Sequence, residues 1–352
     1  MTIKIERLNQ NNLEDWQNYV QNHNNSLLFH TIEWKKLMQD TYGYKPIYLL
    51  AYENNRIKGV LCSFLINSWL FGKKLTTAPF NFYNEPLFDS VEIGKALINK
   101  LFEIGKKNKV KYIEFKSRDE LNKDLFGHHK LIEREVYERT VINIDSQDIM
   151  RSKLKKLAKR MIRRCEENYV KCEISEDPKD LKSFYKIMEL LYCKKHKSIY
   201  QPFKLLKNYY KYLLPKKNVF LIKATHKGKF IGGSIMFAYK DVIFDQWSLS
   251  YTKEKISPNY YTIWNGLLIG NNMNKKVFDL GYTSPHDTGL VSFKSKWGGK
   301  TEKIKFYYLP IKSSNIPVIE YNESYKSVRE LVRFIPIWMM RIMSNTLAKE
   351  FG

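Results

Sequence analysis

The run 275–300, "KKVFDLGYTSPHDTGLVSFKSKWGGK", concentrates residue types that do chemistry. It starts as a strand, with Val277, Phe278 and Leu280 apolar around Asp279, and passes into a Gly/Ser/Thr/Pro loop that carries His286. The loop expected to follow carries the Phe-Lys pair, Phe293 and Lys294, and leads to Trp297-Gly298-Gly299. A carboxylate at a strand end and an imidazole in a turn can each take a proton. A lysine ammonium is a compact positive charge, and an aromatic neighbour that excludes water strengthens its field. Loops placed by a rigid strand are where such groups are displayed. Asp279 has a second role open to it, because Asp also caps a following loop by accepting backbone N–H bonds. His286, in "SPHDTG", reads equally as a solvated turn residue.

The elements that must hold these residues occur twice. "YLLAYENNRIKGVLCSFLI" (48–66) and "FLIKATHKGKFIGGSIMFAY" (220–239) both read as hairpins, and aligning Ala51 with Ala224 brings Gly59 onto Gly232. After the first comes a helical pattern with Ile93, Leu97, Leu101 and Ile104 on one face, then the strand "KYIEF". After the second comes "YYTIWNGLLIGNNMNKK", then the strand "VFDLG". Hairpin, helix and strand recurring in one order predict two similar α/β domains, 1–150 and 151–322, each a mixed sheet flanked by helices.

A basic helix opens the second of them. Arg151, Lys153, Lys155, Lys156, Lys159, Arg160, Arg163 and Arg164 stand close together without an acid, over an apolar stripe of Leu154, Leu157, Met161 and Ile162. Such a face is either solvated or a surface for phosphates. The whole chain has 60 Lys and Arg against 36 Asp and Glu, a net charge of +24. That imbalance favours anionic partners, whether nucleic acid, phosphorylated substrates or an anionic membrane. The four cysteines have no metal-binding spacing and read as reduced, which fits a cytosolic compartment. The first residues lack an apolar signal core, and the longest apolar run is too short to span a bilayer, so the chain reads as soluble or surface-bound.

A C-terminal amphipathic helix is expected over 323–352. Val328, Leu331, Val332, Ile335, Trp338, Met339, Ile342 and Met343 supply its apolar side, with Arg329, Arg333 and Arg341 between, and Pro336 bends or restarts it. It either docks on its own domain or lies in a membrane interface.

Three stretches together resemble the Fem-type (FemABX) aminoacyltransferases, tandem domains of the GNAT acyltransferase fold. They are "SLLFHTIEWKKLMQDTYGYKPIYLLAYENNRIKGV", the basic "KKLAKRMIRRCEENYVKCEI", and "FDLGYTSPHDTGLVSFKSKWGG". The resemblance covers nearly the whole chain and is nearest to a compact subgroup associated with exopolysaccharide systems. It implies transfer of an acyl group, often from charged tRNA, to an amine of a cell-envelope precursor that is lipid- or nucleotide-linked, with no bound cofactor and no metal.

It also implies that Phe293 and Lys294 are the catalytic pair, with Lys294 facing the tetrahedral oxyanion. Asp279 is the first choice for a base and His286 the second. Phe80 and Tyr83, in "TTAPFNFYNEPLF", fall where the family has an acceptor-side loop, and they read otherwise as packing. Trp34 reads as core beside Lys35 and Lys36, with Lys36 an anion contact. Lys159, Arg160, Arg163 and Arg164 become donor contacts. The sequence departs from the family at Glu114, which is followed by Phe115 and Lys116 rather than proline, and at Tyr282, which replaces an arginine. It has no long helical arm in the second domain. The glycine-rich turn that holds acyl-CoA in ordinary GNAT enzymes is missing too, because "KGKFIGGS" lies in a hairpin. The donor is therefore expected to be aminoacyl-tRNA ahead of acyl-CoA. A binding module for RNA or membrane that kept the fold is the reading from outside the enzymes.

Overall fold

The protein is described by a computed structural model over residues 2–80, 83–196, 198–252, 254–312, 316 and 335–352. It separates into two compact units. The first is Met1–Tyr137 with Lys303–Glu320 and Lys349–Gly352, and the second is Glu138–Glu302 with Tyr321–Ala348. The break thus falls at 137/138, inside a strand, rather than at 150. The chain also returns to the first unit at Lys303, because the strand that begins at Lys300 hydrogen-bonds from Lys305 onward to residues of that unit.

The first unit runs β1 (Ile3–Arg7), α1 (Leu13–Asn22), α2 (Ile32–Tyr42), β2 (Lys45–Glu53), β3 (Arg56–Ser68), β4 (Gly72–Thr76), β5 (Leu87–Phe88), α3 (Val91–Lys107) and β6 (Tyr112–Ser117). Its sheet order is β1-β2-β3-β4-β6, with the late strand β13 (Lys300–Pro310) beside β6. All neighbours on that path are antiparallel except β4 and β6. Helix α3 starts at Ser90, whose hydroxyl accepts the Ile93 N–H, and lays Leu97, Leu101 and Ile104 against Leu49, Leu61 and Ile113. Each such buried aliphatic side chain contributes about 1.5–3 kcal/mol.

The second unit begins inside β7 (Ile132–Asn143) and continues α4 (Gln147–Lys153), α5 (Lys156–Glu167), β8 (Lys171–Ser175), α6 (Pro178–Leu191), α7 (Phe203–Tyr212), β9 (Val219–His226), β10 (Lys229–Tyr239), β11 (Val242–Ser250), α8 (Pro258–Asn272), β12 (Val277–Thr283) and α9 (Thr288–Lys294). The order here is β7-β12-β11-β10-β9-β8, and the parallel pair is β11 with β12. Trp264 and Leu267 of α8 pack on Met236, Ile243 and Phe278, and Ile162 of α5 joins the same cluster.

The internal repeat is physical. In β2–β3 Ala51 is the cross-strand partner of Gly59, and in β9–β10 Ala224 is the partner of Gly232, so the two aligned pairs are the same rung of two hairpins. In each unit the long helix then leads to a strand parallel to one that precedes the helix, β6 beside β4 and β12 beside β11. The register makes the repeat sharper still, for the last rung of each parallel pair carries an acid, Thr76 opposite Glu114 and Phe244 opposite Asp279.

The basic helix is real but divided. Leu154 and Lys155 separate α4 from α5, which keeps Ala158, Met161, Ile162 and Cys165 inside. Of the C-terminal segment the described part starts at Ile335, and α10 (Ile337–Leu347) begins directly after Pro336. Val328, Arg329, Leu331, Val332 and Arg333 lie outside the described residues. Among the described residues no helix is long and apolar enough to cross a membrane.

Candidate active site

Asp279 and Lys294 are organised by one residue between them. Gly281 takes φ +72°, a left-handed conformation that glycine adopts without steric cost. Its N–H donates to Asp279 Oδ1 at 2.7 Å and its carbonyl accepts from Lys294 Nζ at 2.7 Å. The Lys294 ammonium also donates to the Tyr282 carbonyl at 3.2 Å. The Asp-x-Gly of the sequence is therefore a kink that turns one peptide unit toward the carboxylate and the next toward the ammonium.

The Phe-Lys pair lies on a helix, not in the expected loop. Asp287 caps α9 by accepting the Leu290 N–H at 3.0 Å, and Lys294 ends it. Phe293 sets its ring edge-on to Tyr260 at 4.8 Å, and Tyr260 stacks on the buried Trp297. Gly298 has φ +70°, and a Cβ there would stand 2.4 Å from the Lys153 carbonyl oxygen. The Trp-Gly-Gly run thus passes the C-terminal end of α4 at a distance that only glycine permits.

Lys294 is 5% exposed, which is rare for lysine. Burial pushes its pKa down to about 8, against the opposing charges of Asp279, Asp245 and Asp287. Asp245, which the sequence reading did not single out, sits on β11 one residue beyond the last rung with β12. Burial raises its pKa to about 6 and Asp279 adds to that, while a hydrogen bond from Ser248 and the charge of Lys294 oppose it.

Between β11 and β12 no rung follows Phe244–Asp279 among the described residues, although β11 runs on to Ser250 and β12 to Thr283. The strands part there, and Asp245 and the carbonyls that hold Lys294 lie at the parting. The Thr283 hydroxyl, buried on β12, has no hydrogen-bond partner among the described residues.

In the first unit the chain itself closes the equivalent parting. Asn84 donates its side-chain N–H to the Thr77 carbonyl at 3.0 Å and its backbone N–H to the Lys116 carbonyl at 3.0 Å, and Lys116 Nζ reaches the Ala78 carbonyl. Glu114 there is buried with Lys74 at 3.8 Å, Lys116 at 3.7 Å and the Thr76 hydroxyl at 2.8 Å. Burial pushes its carboxyl up, and these partners outweigh that and hold it below the ordinary range.

Asp279 is fully buried, and besides the Gly281 N–H it meets Arg139 of β7 at 3.4 Å. Arg139 in turn holds Glu302 and is the register partner of Tyr282. Tyr282 thus stands opposite an arginine on the neighbouring strand that is engaged with Asp279. The capping role is the one the geometry gives Asp279. His286 is exposed in its turn, with its backbone N–H toward Ser284 Oγ.

The remaining sequence candidates divide clearly. Trp34 is 1% exposed with Phe29 edge-on at 4.9 Å, so its ring is core, and Lys36 is exposed. Tyr83 is buried under the Arg118 guanidinium. Phe80 is partly exposed, takes φ +57° and packs on Tyr42 at 4.8 Å. Lys159, Arg160, Arg163 and Arg164 are all exposed, Lys159 reaching the Ser152 carbonyl and Arg163 pairing with Glu167.

A cavity of about 330 Å³ opens where β11 ends and α8 begins. Ser250, Thr252, Ser257 and Asn259 line it together with Lys194 and Lys195. The two lysines come from a π-helical turn, Tyr192–His196, that follows α6. Backbone N–H groups at a helix start, hydroxyls and ammonium groups form a chemistry suited to phosphate. The sequence signal for it was slight, a Lys-Lys pair and a Ser-Pro-Asn start far apart in the chain. No cluster of His, Cys, Asp and Glu able to hold a metal occurs among the described residues.

No protein-family model matches the chain, and no curated protein matches it in sequence. Solved structures do. The crystal structure of FemX superposes with a TM-score of 0.72 at 12% identity, covering 87% of this chain and 97% of that one. The structure of L-PGS from Bacillus licheniformis gives 0.58 at 12% identity over 94% and 99% of the two chains. A tandem GNAT protein from the clavulanic acid biosynthesis pathway gives 0.54 at 8% identity over 89% and 100%. The fold is thus the Fem-like tandem GNAT fold, as the sequence resemblance implied. At such identities the likeness is one of fold.

Proposed function

We propose that the protein is an acyltransferase that forms an amide, moving an aminoacyl group from charged tRNA to an amine of a cell-envelope precursor. The observation that carries this reading is the Lys294 ammonium, buried and fixed by two carbonyls where β11 and β12 part. Attack of an amine on an ester gives a tetrahedral oxyanion, and a preorganised positive charge is the main stabiliser such an intermediate needs. The ammonium costs no reorganisation when that charge develops, since its position is already set.

The donor's phosphates have two supports. The cavity at the start of α8 offers hydroxyls and two lysines, and the exposed basic face of α5 offers Lys159, Arg160, Arg163 and Arg164. A face of that breadth suits a polynucleotide better than a single pyrophosphate. FemX-like architecture and exposed Ile337, Trp338, Met339 and Ile342 on α10 favour an acceptor tied to the envelope, with peripheral contact to an anionic membrane.

The test supplies the protein with radiolabelled aminoacyl-tRNA or, separately, acyl-CoA, each with an amine acceptor mixture. Amine-dependent loss of the tRNA ester is the expected result, and consumption of neither donor would end the reading. Arg160→Glu with Arg164→Glu should raise KM for charged tRNA about tenfold with little change in kcat. It should also flatten the logarithmic salt dependence by about 0.9 for each phosphate that the variant leaves unneutralised.

The pH dependence has a definite sign. Lys294 is charged below its pKa of about 8, so kcat/KM should fall as pH rises through that value. Rates measured from pH 6 to 10 check this, and a plateau to pH 10 would exclude the ammonium as the essential charge.

A further inference from the structure

β10 and β11 carry a chain of hydroxyls that ends on Asp245. Ser234 and Ser248 are register partners across the two strands, and their hydroxyls lie 2.6 Å apart. Ser248 Oγ lies 2.7 Å from Asp245 Oδ1. Ser234 Oγ lies 2.6 Å from Thr262 Oγ1 of α8, which is 3.2 Å from the Asn259 carbonyl. The register shift after Ile235 makes this possible, because Ile235 opposes Trp247 while Met236 opposes Asp245. Gln246 is thereby the bulged residue, and across a bulge Asp245 and Ser248 come to share a face that strict alternation would deny them.

We propose that Asp245 takes the proton from the attacking amine and that Ser248, Ser234 and Thr262 form a reversible hydroxyl chain behind it. The proposal rests on the acyl-transfer reading above for the identity of the amine. The new C–N bond forms, the donor's C–O ester bond breaks, and the nitrogen's proton passes to the Asp245 carboxylate. Asp245 then returns that proton to the departing oxygen, which leaves as a hydroxyl, so the carboxylate is regenerated and the exchange is balanced in protons.

Hydrogen counting shows why the chain suits the task. When Asp245 is ionised, three hydroxyl hydrogens serve the three short contacts, each pointing toward the carboxylate: Thr262 to Ser234, Ser234 to Ser248, Ser248 to Asp245. When Asp245 is protonated, all can reverse: Asp245 donates to Ser248, Ser248 to Ser234, Ser234 to Thr262, and Thr262 to the Asn259 carbonyl. Both states keep every short contact with no heavy atom moved. Uptake of the proton gains one further bond, which supports the neutral form. The charged groups around Asp245 are Lys294 of α9, which favours its ionised form, and Asp279 of β12, which disfavours it. Arg139 and Glu302 lie behind Asp279, and Asp287 acts on Lys294.

The two ends of the chain should therefore act in opposite directions. Ser248→Ala removes two bonds from each form, but one of those lost by the ionised form is a charge-assisted bond to the carboxylate and is the stronger, so the change should raise the Asp245 pKa by about 0.5–1 unit. Thr262→Val removes two bonds from the neutral form and one from the ionised form, and should lower it by a similar amount, about 0.5–1 unit. Thr262→Ser keeps the hydroxyl and should leave the value unchanged. Carbon-13 NMR of aspartate-labelled full-length protein, with the Asp245 signal identified by its loss in Asp245→Asn, reads these values without any substrate. Shifts in the same direction for Ser248→Ala and Thr262→Val, or no shift in either, would overturn the chain.

The acid limb of kcat/KM should follow the same shifts and disappear in Asp245→Asn. If it survives in Asp245→Asn, the base assignment falls. If the NMR shifts appear but neither donor is ever consumed, the hydroxyl chain stands and the acyltransferase reading is what fails.

Discussion

Lys294→Met is expected to lower kcat for acyl transfer about 10²–10³-fold while leaving donor affinity within about threefold. Methionine keeps about the length and the apolar character of the lysine stem, and removes only the ammonium. The Gly281 and Tyr282 carbonyls lose a donor, but a buried lysine with a depressed pKa also disappears, so the two effects on stability oppose one another. A rate defect with an unchanged KM marks an interaction made only in the transition state, which is what charge stabilisation of an oxyanion means. Steady-state kinetics beside filter retention of charged tRNA separates this from loss of binding.

Arg139→Leu should be the most destabilising single change at the site. Asp279 is fully buried and Arg139 is an ion-pair partner, so removing the guanidinium leaves the carboxylate in the interior with one counter-charge fewer. Breaking a buried pair from one side costs about 3–5 kcal/mol. Glu302 would lose the same partner. Because the chain has two units, a single unfolding midpoint would blur the result. Amide hydrogen exchange of β7, β11 and β12 reads it locally and should show protection falling by about that amount. Unchanged protection would mean that Asp279 is balanced by something other than Arg139.

Much of the architecture was legible because the hydrophobic period and the glycine positions were repeated. The pairs Ala51–Gly59 and Ala224–Gly232 fixed both hairpins by local signals, and the helix face of Ile93, Leu97, Leu101 and Ile104 placed α3. The 137/138 break and the return at Lys303 were not legible, since both depend on which distant strand a residue pairs with. Phe293 and Lys294 were placed in a loop because a short helix capped by Asp287 leaves no periodic pattern long enough to recognise.

Asp245 was passed over for a related reason. In "VIFDQWSLS" it looks like one polar step in a strand, and only the bulge at Gln246 turns it to face Ser248. Asp279 was chosen as the base from its position at a strand end. Its burial, its Gly281 bond and its Arg139 partner are tertiary facts.

The central claim is that the donor's acyl group enters the parting of β11 and β12 beside Lys294. The most direct measurement uses tRNA charged through a stable amide with an aminoacyl group carrying a diazirine, and an acyl-CoA analogue bearing the same group. After irradiation, peptide mapping should find the label from the better-bound donor on Asp245–Ser250 and Gly281–Thr283. Label confined to the first unit, or spread over α5 without reaching those two strands, would contradict the account.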